Sequence, residues 1–309
     1  MPRGLGSPPS RTALRRAEPP VLLNLLISLR PGQWTKNLFV FAALVFAERL
    51  GDPGAVVRAL IAFAVFCALS GAIYLVNDVF DREQDRRHPL KQHRPIASGQ
   101  IAPALALSSA AILGVAALAV ALALGLPFFT IAVAYLALLS AYSAFLKNVV
   151  IVDVLTIAAG FTLRAAAGAA AIDVPISHWL LVCTTLLALF IALSKRRHEL
   201  TLLTVTATDH RPILGDYTPY LLDQMISVVT ASTLIAYAFY TISPETTAKF
   251  GTDLLSLTIP FPLYGIFRYL YLVHRRDQGG SPADLVVNDR PLLICVALWA
   301  LSVILIIYQ

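Results

Sequence analysis

Charge is scarce in this 309-residue chain: 14% of its residues are Asp, Glu, Lys or Arg, whereas 58% are hydrophobic and the mean hydropathy is +0.73. Soluble domains keep about a quarter of their residues charged, so the composition excludes a soluble globular protein. Cysteine is nearly absent. Cys67, Cys183 and Cys295 are odd in number, lie inside apolar runs and have no metal-ligand spacing, which argues against a disulfide framework or a thiolate metal site. Residues 1–20 hold no apolar run, a poor fit to a cleaved signal peptide; their Pro, Gly, Ser and Arg content predicts a disordered basic arm near anionic headgroups.

What is abundant is apolar sequence in blocks of about 20 residues, enough to carry a helix across roughly 30 Å of hydrocarbon. The short apolar stretch Val21 to Leu29, closed by Arg30-Pro31-Gly32, reads as an interfacial helix. Nine windows follow, at 34–50, 55–77, 103–125, 127–146, 150–171, 177–194, 222–242, 254–273 and 290–308. Turn chemistry separates them, as in Gly51-Asp52-Pro53-Gly54, Gly125-Leu126-Pro127 and Asp173-Val174-Pro175. The expected architecture is an all-α, polytopic bundle of nine transmembrane helices, with residues 21–309 forming one transmembrane catalytic domain.

The net charge of +6 suggests membrane sidedness rather than nucleic acid. With nine spans, 19 Lys and Arg fall on the side of the amino terminus, while the other side holds Arg49, Arg58 and Lys249. By the positive-inside rule the amino terminus and the 78–102 loop are cytoplasmic.

That loop begins Asn77-Asp78-Val79-Phe80-Asp81-Arg82-Glu83-Gln84-Asp85. If the second span continues helically, Asp78, Asp81 and Asp85 lie at i, i+3 and i+7 and share a face. Such a row repels itself at a helix C-terminus, where the dipole also disfavours anions, unless a cation sits on it. Mg2+ is the economical choice, since it takes carboxylate oxygens together with substrate phosphates. Lys91 and Arg94 would then meet phosphate oxygens turned away from the metal. The competing reading is a solvated loop whose acids and bases neutralise one another.

A second polar cluster, Ser194-Lys195-Arg196-Arg197-His198-Glu199, closes the sixth span. It is either a snorkelling positive-inside anchor or the other half of a site. The fifth span carries Asp153, Gly160, Arg164 and Gly168; an arginine there should face the bundle interior, and the glycines should allow close helix approach. Arg164 is either a deep phosphate ligand or the structural partner of a buried carboxylate. Tyr142 and Lys147 end the fourth span. Asp209, Arg211 and Asp216 are further polar candidates in the loop after the sixth.

The sequence resembles the UbiA superfamily of intramembrane prenyltransferases through Asn77, Asp78, Asp81 and Asp85, which fit its N-D-x-x-D-x-x-x-D pattern, and through Arg94-Pro95 and Gly99. Where ordinary members carry a second aspartate-rich motif, this chain has Lys195-Arg196-Arg197-His198-Glu199. With the run Arg30 to Asn37, including Lys36, and with Tyr142 to Lys147, that departure is similar to the decaprenyl-phosphate phosphoribosyltransferase branch.

The resemblance implies a cytoplasm-facing cavity in a bacterial inner-membrane protein and transfer of 5-phosphoribose from 5-phosphoribosyl 1-diphosphate to polyprenyl phosphate, on the way to the lipid-linked arabinose donor of cell-wall arabinan. It implies Mg2+ on Asp78, Asp81 and Asp85, and Lys91 and Arg94 on the donor diphosphate. Lys36, Asn77, Tyr142, Lys147, Arg164, Lys195 and Arg196 would bind substrate, and Glu199 would hold a second metal or a ribose hydroxyl. Two rivals remain: an ordinary prenyltransferase acting on an aromatic acceptor, and a lipid or anion transporter.

Overall fold

The computed structural model describes residues 20–89, 91–202, 212–276, 285 and 288–309, so the predicted basic arm, Asp209 and Arg211 lie outside the described residues. Along the chain, α1 (Val21–Ser28) precedes a 3-10 stretch (Pro31–Phe41) and α2 (Ala42–Phe46); α3 (Pro53–Phe80) and α4 (Arg82–Arg87) follow. Next come α5 (Pro103–Leu124), α6 (Leu126–Ala144), α7 (Val152–Ala171) and α8 (His178–Leu202). The last four are α9 (Pro219–Ile242), α10 (Pro244–Phe250), α11 (Pro260–Arg276) and α12 (Arg290–Ile307). The described residues are all helix, turn and coil, with no strand.

The starts follow from sequence. Asp52 accepts hydrogen bonds from the Gly54 and Ala55 amides at 2.9 and 3.2 Å, with Pro53 as the first residue of α3. Thr218 before Pro219 and Asp289 before Arg290-Pro291 cap α9 and α12 in the same way. Gly125, at φ 134°, makes the tight reversal between α5 and α6.

Among the described residues seven helices are long and apolar enough to cross a membrane: α3, α5, α6, α7, α8, α9 and α12. Two of the nine expected windows are not among these seven. The expected eighth span, 254–273, coincides with the segment Leu254–Val273, which begins at a bend of 106° after α10. The expected first span is the 3-10 stretch followed by α2.

Helices α3 and α7 are the inner pair, and their small residues explain why. α7 reads Ala-Ala-Gly at 158–160 and Ala-Ala-Ala-Gly-Ala-Ala-Ala at 165–171, and it packs against α6, α8, α3 and the 3-10 stretch. A Cβ added to Gly168 would stand 2.0 Å from the Val40 carbonyl oxygen, so backbone meets backbone there. One apolar cluster joins α3, α5, α6 and α7 around Phe66, Phe128 and Tyr135; another joins α7, α8, α9 and α11 around Phe190, Leu222 and Tyr269. In α1, Asn24 and Ser28 turn inward while Leu22, Leu26 and Ile27 face out, the arrangement suited to a helix in contact with acyl chains.

Candidate active site

The polar side chains gather where α3, α7 and α8 end or begin on one side of the bundle. α3 stops at Phe80, Asp81 forms a kink, and α4 resumes at Arg82, while the Asp85 amide still bonds to the Asp81 carbonyl at 2.8 Å. The kink splits the expected row of three acids. Asp78 and Asp85, 3% and 2% exposed, remain together, and one nitrogen of Arg94 lies between them, 3.2 Å from Asp78 Oδ1 and 2.6 Å from Asp85 Oδ2. Asp81 turns away and faces Lys147 Nζ at 3.8 Å. Lys91 Nζ is 3.9 Å from Asp85. Asn77 is half-buried one residue earlier, and its carbonyl accepts from the Asp81 amide.

The acids and bases of the loop therefore pair, as one of the two sequence readings anticipated. Among the described residues no three Asp, Glu, His or Cys converge as a ready-made metal cage. Mg2+ commonly uses one or two carboxylates and takes the rest of its shell from water and phosphate. Asp78 and Asp85, already placed on either side of one cationic nitrogen, fit that requirement.

Arg30 belongs to a run singled out in the sequence and is not itself among the expected site residues, yet it bonds directly to Asp78 and lies 4.6 Å from the centre of the Tyr74 ring. Its φ of 54° is unusual for a non-glycine residue, and the backbone is bent there so that the guanidinium points back onto α3. The signal in the sequence is a charged residue placed directly before Pro-Gly. Arg82 and Arg86 play a different part, donating to the Ile96 and Ala97 carbonyls and tying α4 to the segment that precedes α5.

The α8 half of the site is basic. Lys195 is half-exposed and 3.9 Å from Glu199. Arg196, 2% exposed, donates to Asp153 at 2.9 Å and to Glu199 at 2.5 Å, with Tyr142 OH 3.5 Å away. Arg196, expected from the sequence to bind substrate, has its guanidinium held between Asp153 and Glu199. Arg197 pairs with Asp223 on α9.

Deeper in the bundle, Arg164 is 6% exposed and has no carboxylate partner among the described residues. It donates to Asn37 Oδ1 at 2.8 Å and to Tyr135 OH at 2.6 Å, and it lies over the Tyr135 and Phe161 rings. This corrects the alternative of a structural carboxylate pair, because Asp153, the acid on the same helix, belongs to Arg196. Lys36 stands within electrostatic reach of Lys195, Arg164 and Arg30. Of these cations Arg30 is bonded to Asp78 and Lys195 is paired with Glu199, whereas Arg164 has neutral hydrogen-bond partners.

The UbiA prenyltransferase family model matches residues 37–285. Decaprenyl-phosphate phosphoribosyltransferases are similar in sequence: that of Corynebacterium glutamicum is 32% identical over 98% of this chain and 94% of its own length. That of Mycobacterium tuberculosis is 34% identical, covering 93% of this chain and 95% of its own. Among solved structures, a UbiA homologue of Archaeoglobus fulgidus bound to GPP and Mg2+ superposes with a TM-score of 0.71 at 19% identity, over 93% of this chain and all of that one. With these helices, this acidic segment and this match, the chain belongs to the UbiA prenyltransferase family.

Proposed function

We propose that this membrane transferase moves 5-phosphoribose from 5-phosphoribosyl 1-diphosphate to the phosphate of a polyprenyl phosphate, releasing diphosphate. The product suits a precursor of the lipid-linked arabinose donor for cell-wall arabinan. One observation supports the reading: beside the carboxylates Asp78 and Asp85, which pair with Arg30, Lys91 and Arg94, the site holds a buried guanidinium, Arg164, bonded to the neutral side chains of Asn37 and Tyr135. Two carboxylate clusters suit one diphosphate shared between metals. A carboxylate pair beside a buried cation suits two different anions, a metal-bound diphosphate and a bare phosphate. The similarity to enzymes named for this reaction, over nearly their whole length, supports the same choice.

Bound on Asp78 and Asp85 with Asp81 nearby, Mg2+ would supply neutralisation of the negative charge on the leaving diphosphate. The chain's own residues bind and orient. Arg94, Lys91 and Arg30 exchange their carboxylate partners for donor phosphate oxygens, with Lys147 reaching in from the turn after α6. Arg164 and Lys36 receive the acceptor phosphate, whose charge answers a buried guanidinium that otherwise has only neutral partners. Glu199, paired with Arg196 and Lys195, accepts a hydrogen bond from a ribose hydroxyl. The acceptor is already an anion at neutral pH, so no general base is needed and positioning dominates the rate. Single displacement at C1 converts the α donor to a β product.

The test supplies purified protein and Mg2+ with two pairs in parallel: labelled phosphoribosyl diphosphate with polyprenyl phosphate, and a prenyl diphosphate with an aromatic acid. Labelled phosphoribosyl lipid, abolished by chelator and by Asp85→Ala, is expected. A prenylated aromatic acid in its place overturns the donor assignment.

A further inference from the structure

The phenol of Tyr217 reaches across from the segment that follows Pro212–Asp216 to the first turn of α7. It donates to Asp153 Oδ1 at 2.8 Å and accepts from the Ile151 amide at 2.7 Å. Ile151 has a φ of 68°, a conformation that a β-branched residue adopts only when its surroundings hold it. Asp153, fully buried, passes the contact on: its second oxygen accepts from Arg196 Nε, and Arg196 in turn holds Glu199 and approaches Tyr142. On the other side, Ile151 lies four residues after Lys147, the residue facing Asp81, and the short 3-10 turns at Leu146–Asn148 and Pro212–Asp216 pack together.

We infer that Tyr217, Asp153 and Arg196 are positioning residues that set the distance between the two halves of the active site. One phenol ties the turn carrying Lys147 to the helix end carrying Glu199. None of the three needs to touch a substrate, and each is too deeply buried or too fully bonded to do so easily. Burial raises the Tyr217 phenol to about 12, helped by its carboxylate neighbour, so it remains a donor to Asp153 throughout the working pH range. The inference rests on the proposed role of Glu199 at the donor ribose.

The test is a double-mutant cycle of Tyr217→Phe and Glu199→Gln, read as kcat and KM for each substrate in protein shown by its melting curve to be folded. Phe keeps the ring that packs between α8, α9 and α11 and removes only the hydroxyl. A clasp acting through Glu199 lowers kcat by on the order of 10- to 100-fold, as expected for misplacement of a reacting group, and leaves KM for the polyprenyl phosphate unchanged. The double variant is then no slower than Glu199→Gln alone, because both changes disable one device. Multiplying effects, an unchanged kcat in Tyr217→Phe, or an unchanged kcat in Glu199→Gln would each overturn the inference. If Tyr217→Phe does not fold, Arg196→Lys in the same cycle gives the decision, since it keeps the charge and loses the planar fork that holds two acids. The cycle is run on whichever product the wild type forms, so a wrong donor assignment shows in the wild type and a wrong clasp shows only in the variants.

Discussion

A methyl group at position 168 has no space to occupy, because the Val40 carbonyl oxygen stands 2.0 Å from where it would be. Gly168→Ala must push the 3-10 stretch off α7, at a cost at or above the ~1–3 kcal/mol typical of overpacking. A clear fall in the melting temperature of the detergent-solubilised protein is the expected outcome. Gly160 is the internal control: its nearest neighbour, Arg164 Nη1, is at 3.6 Å, an ordinary contact, and Gly160→Ala should melt at the wild-type temperature or above it. In the sequence the two glycines look alike, because small residues in one helix do not reveal which of them meets a neighbouring backbone. The same limit governs the charges. Asp78 and Asp85 are legible as a pair because helical spacing is local. That Arg164 turns to Asn37 and Tyr135 while Asp153 turns to Arg196 depends on how three helices and the 3-10 stretch are placed, which no spacing within α7 encodes.

At the scale of elements, Arg58 shows how helix ends are joined on the side opposite the active site. Its guanidinium donates to the Ala171 carbonyl at 2.5 Å and to the Leu124 carbonyl at 2.7 Å, so one cation closes the C-termini of α7 and α5, where the helix dipoles favour it. Charged hydrogen bonds of this kind contribute about 1.5–3 kcal/mol each. Arg58→Leu should therefore lower the melting temperature markedly, with phosphoribosyl transfer by the folded fraction retained; lost transfer at an unchanged melting temperature would contradict a purely structural role. From sequence, Arg58 is only a charge on one side of the membrane. The long helices are legible there, because apolar blocks bounded by capping residues and proline are local signals. The 3-10 winding of the first segment and the 106° bend between α10 and the segment after it are not. Both come from packing: the first is pressed against Gly168, and the second turns near Trp299 Nε1, Tyr237 OH and Thr258 Oγ1, which are hydrogen-bonded in a chain.

Across the whole molecule the contacts divide into two ends, and this division makes sidedness testable. Arg30, Asp78, Arg94, Lys147, Lys195 and Glu199 belong to the end with the polar site. The other end gathers Phe46, Lys249, Leu50 and Tyr308, whose hydrogen bonds join the turn after α2 to α10 and α12, together with the carbonyls held by Arg58. From the excess of Lys and Arg at the polar end, the positive-inside rule predicts that this end faces the cytoplasm, the compartment from which a water-soluble sugar diphosphate would arrive. Gln100 and Gly51 are exposed at opposite ends, and the native cysteines lie within α3, α8 and α12, so the wild-type chain sets the labelling background. A membrane-impermeant maleimide should label Gly51→Cys in intact spheroplasts and Gln100→Cys only after the membrane is permeabilised. The reverse pattern would put the carboxylates outside the cell, where the proposed donor is not made. The function would then require a different anion, even with every distance in the site unchanged.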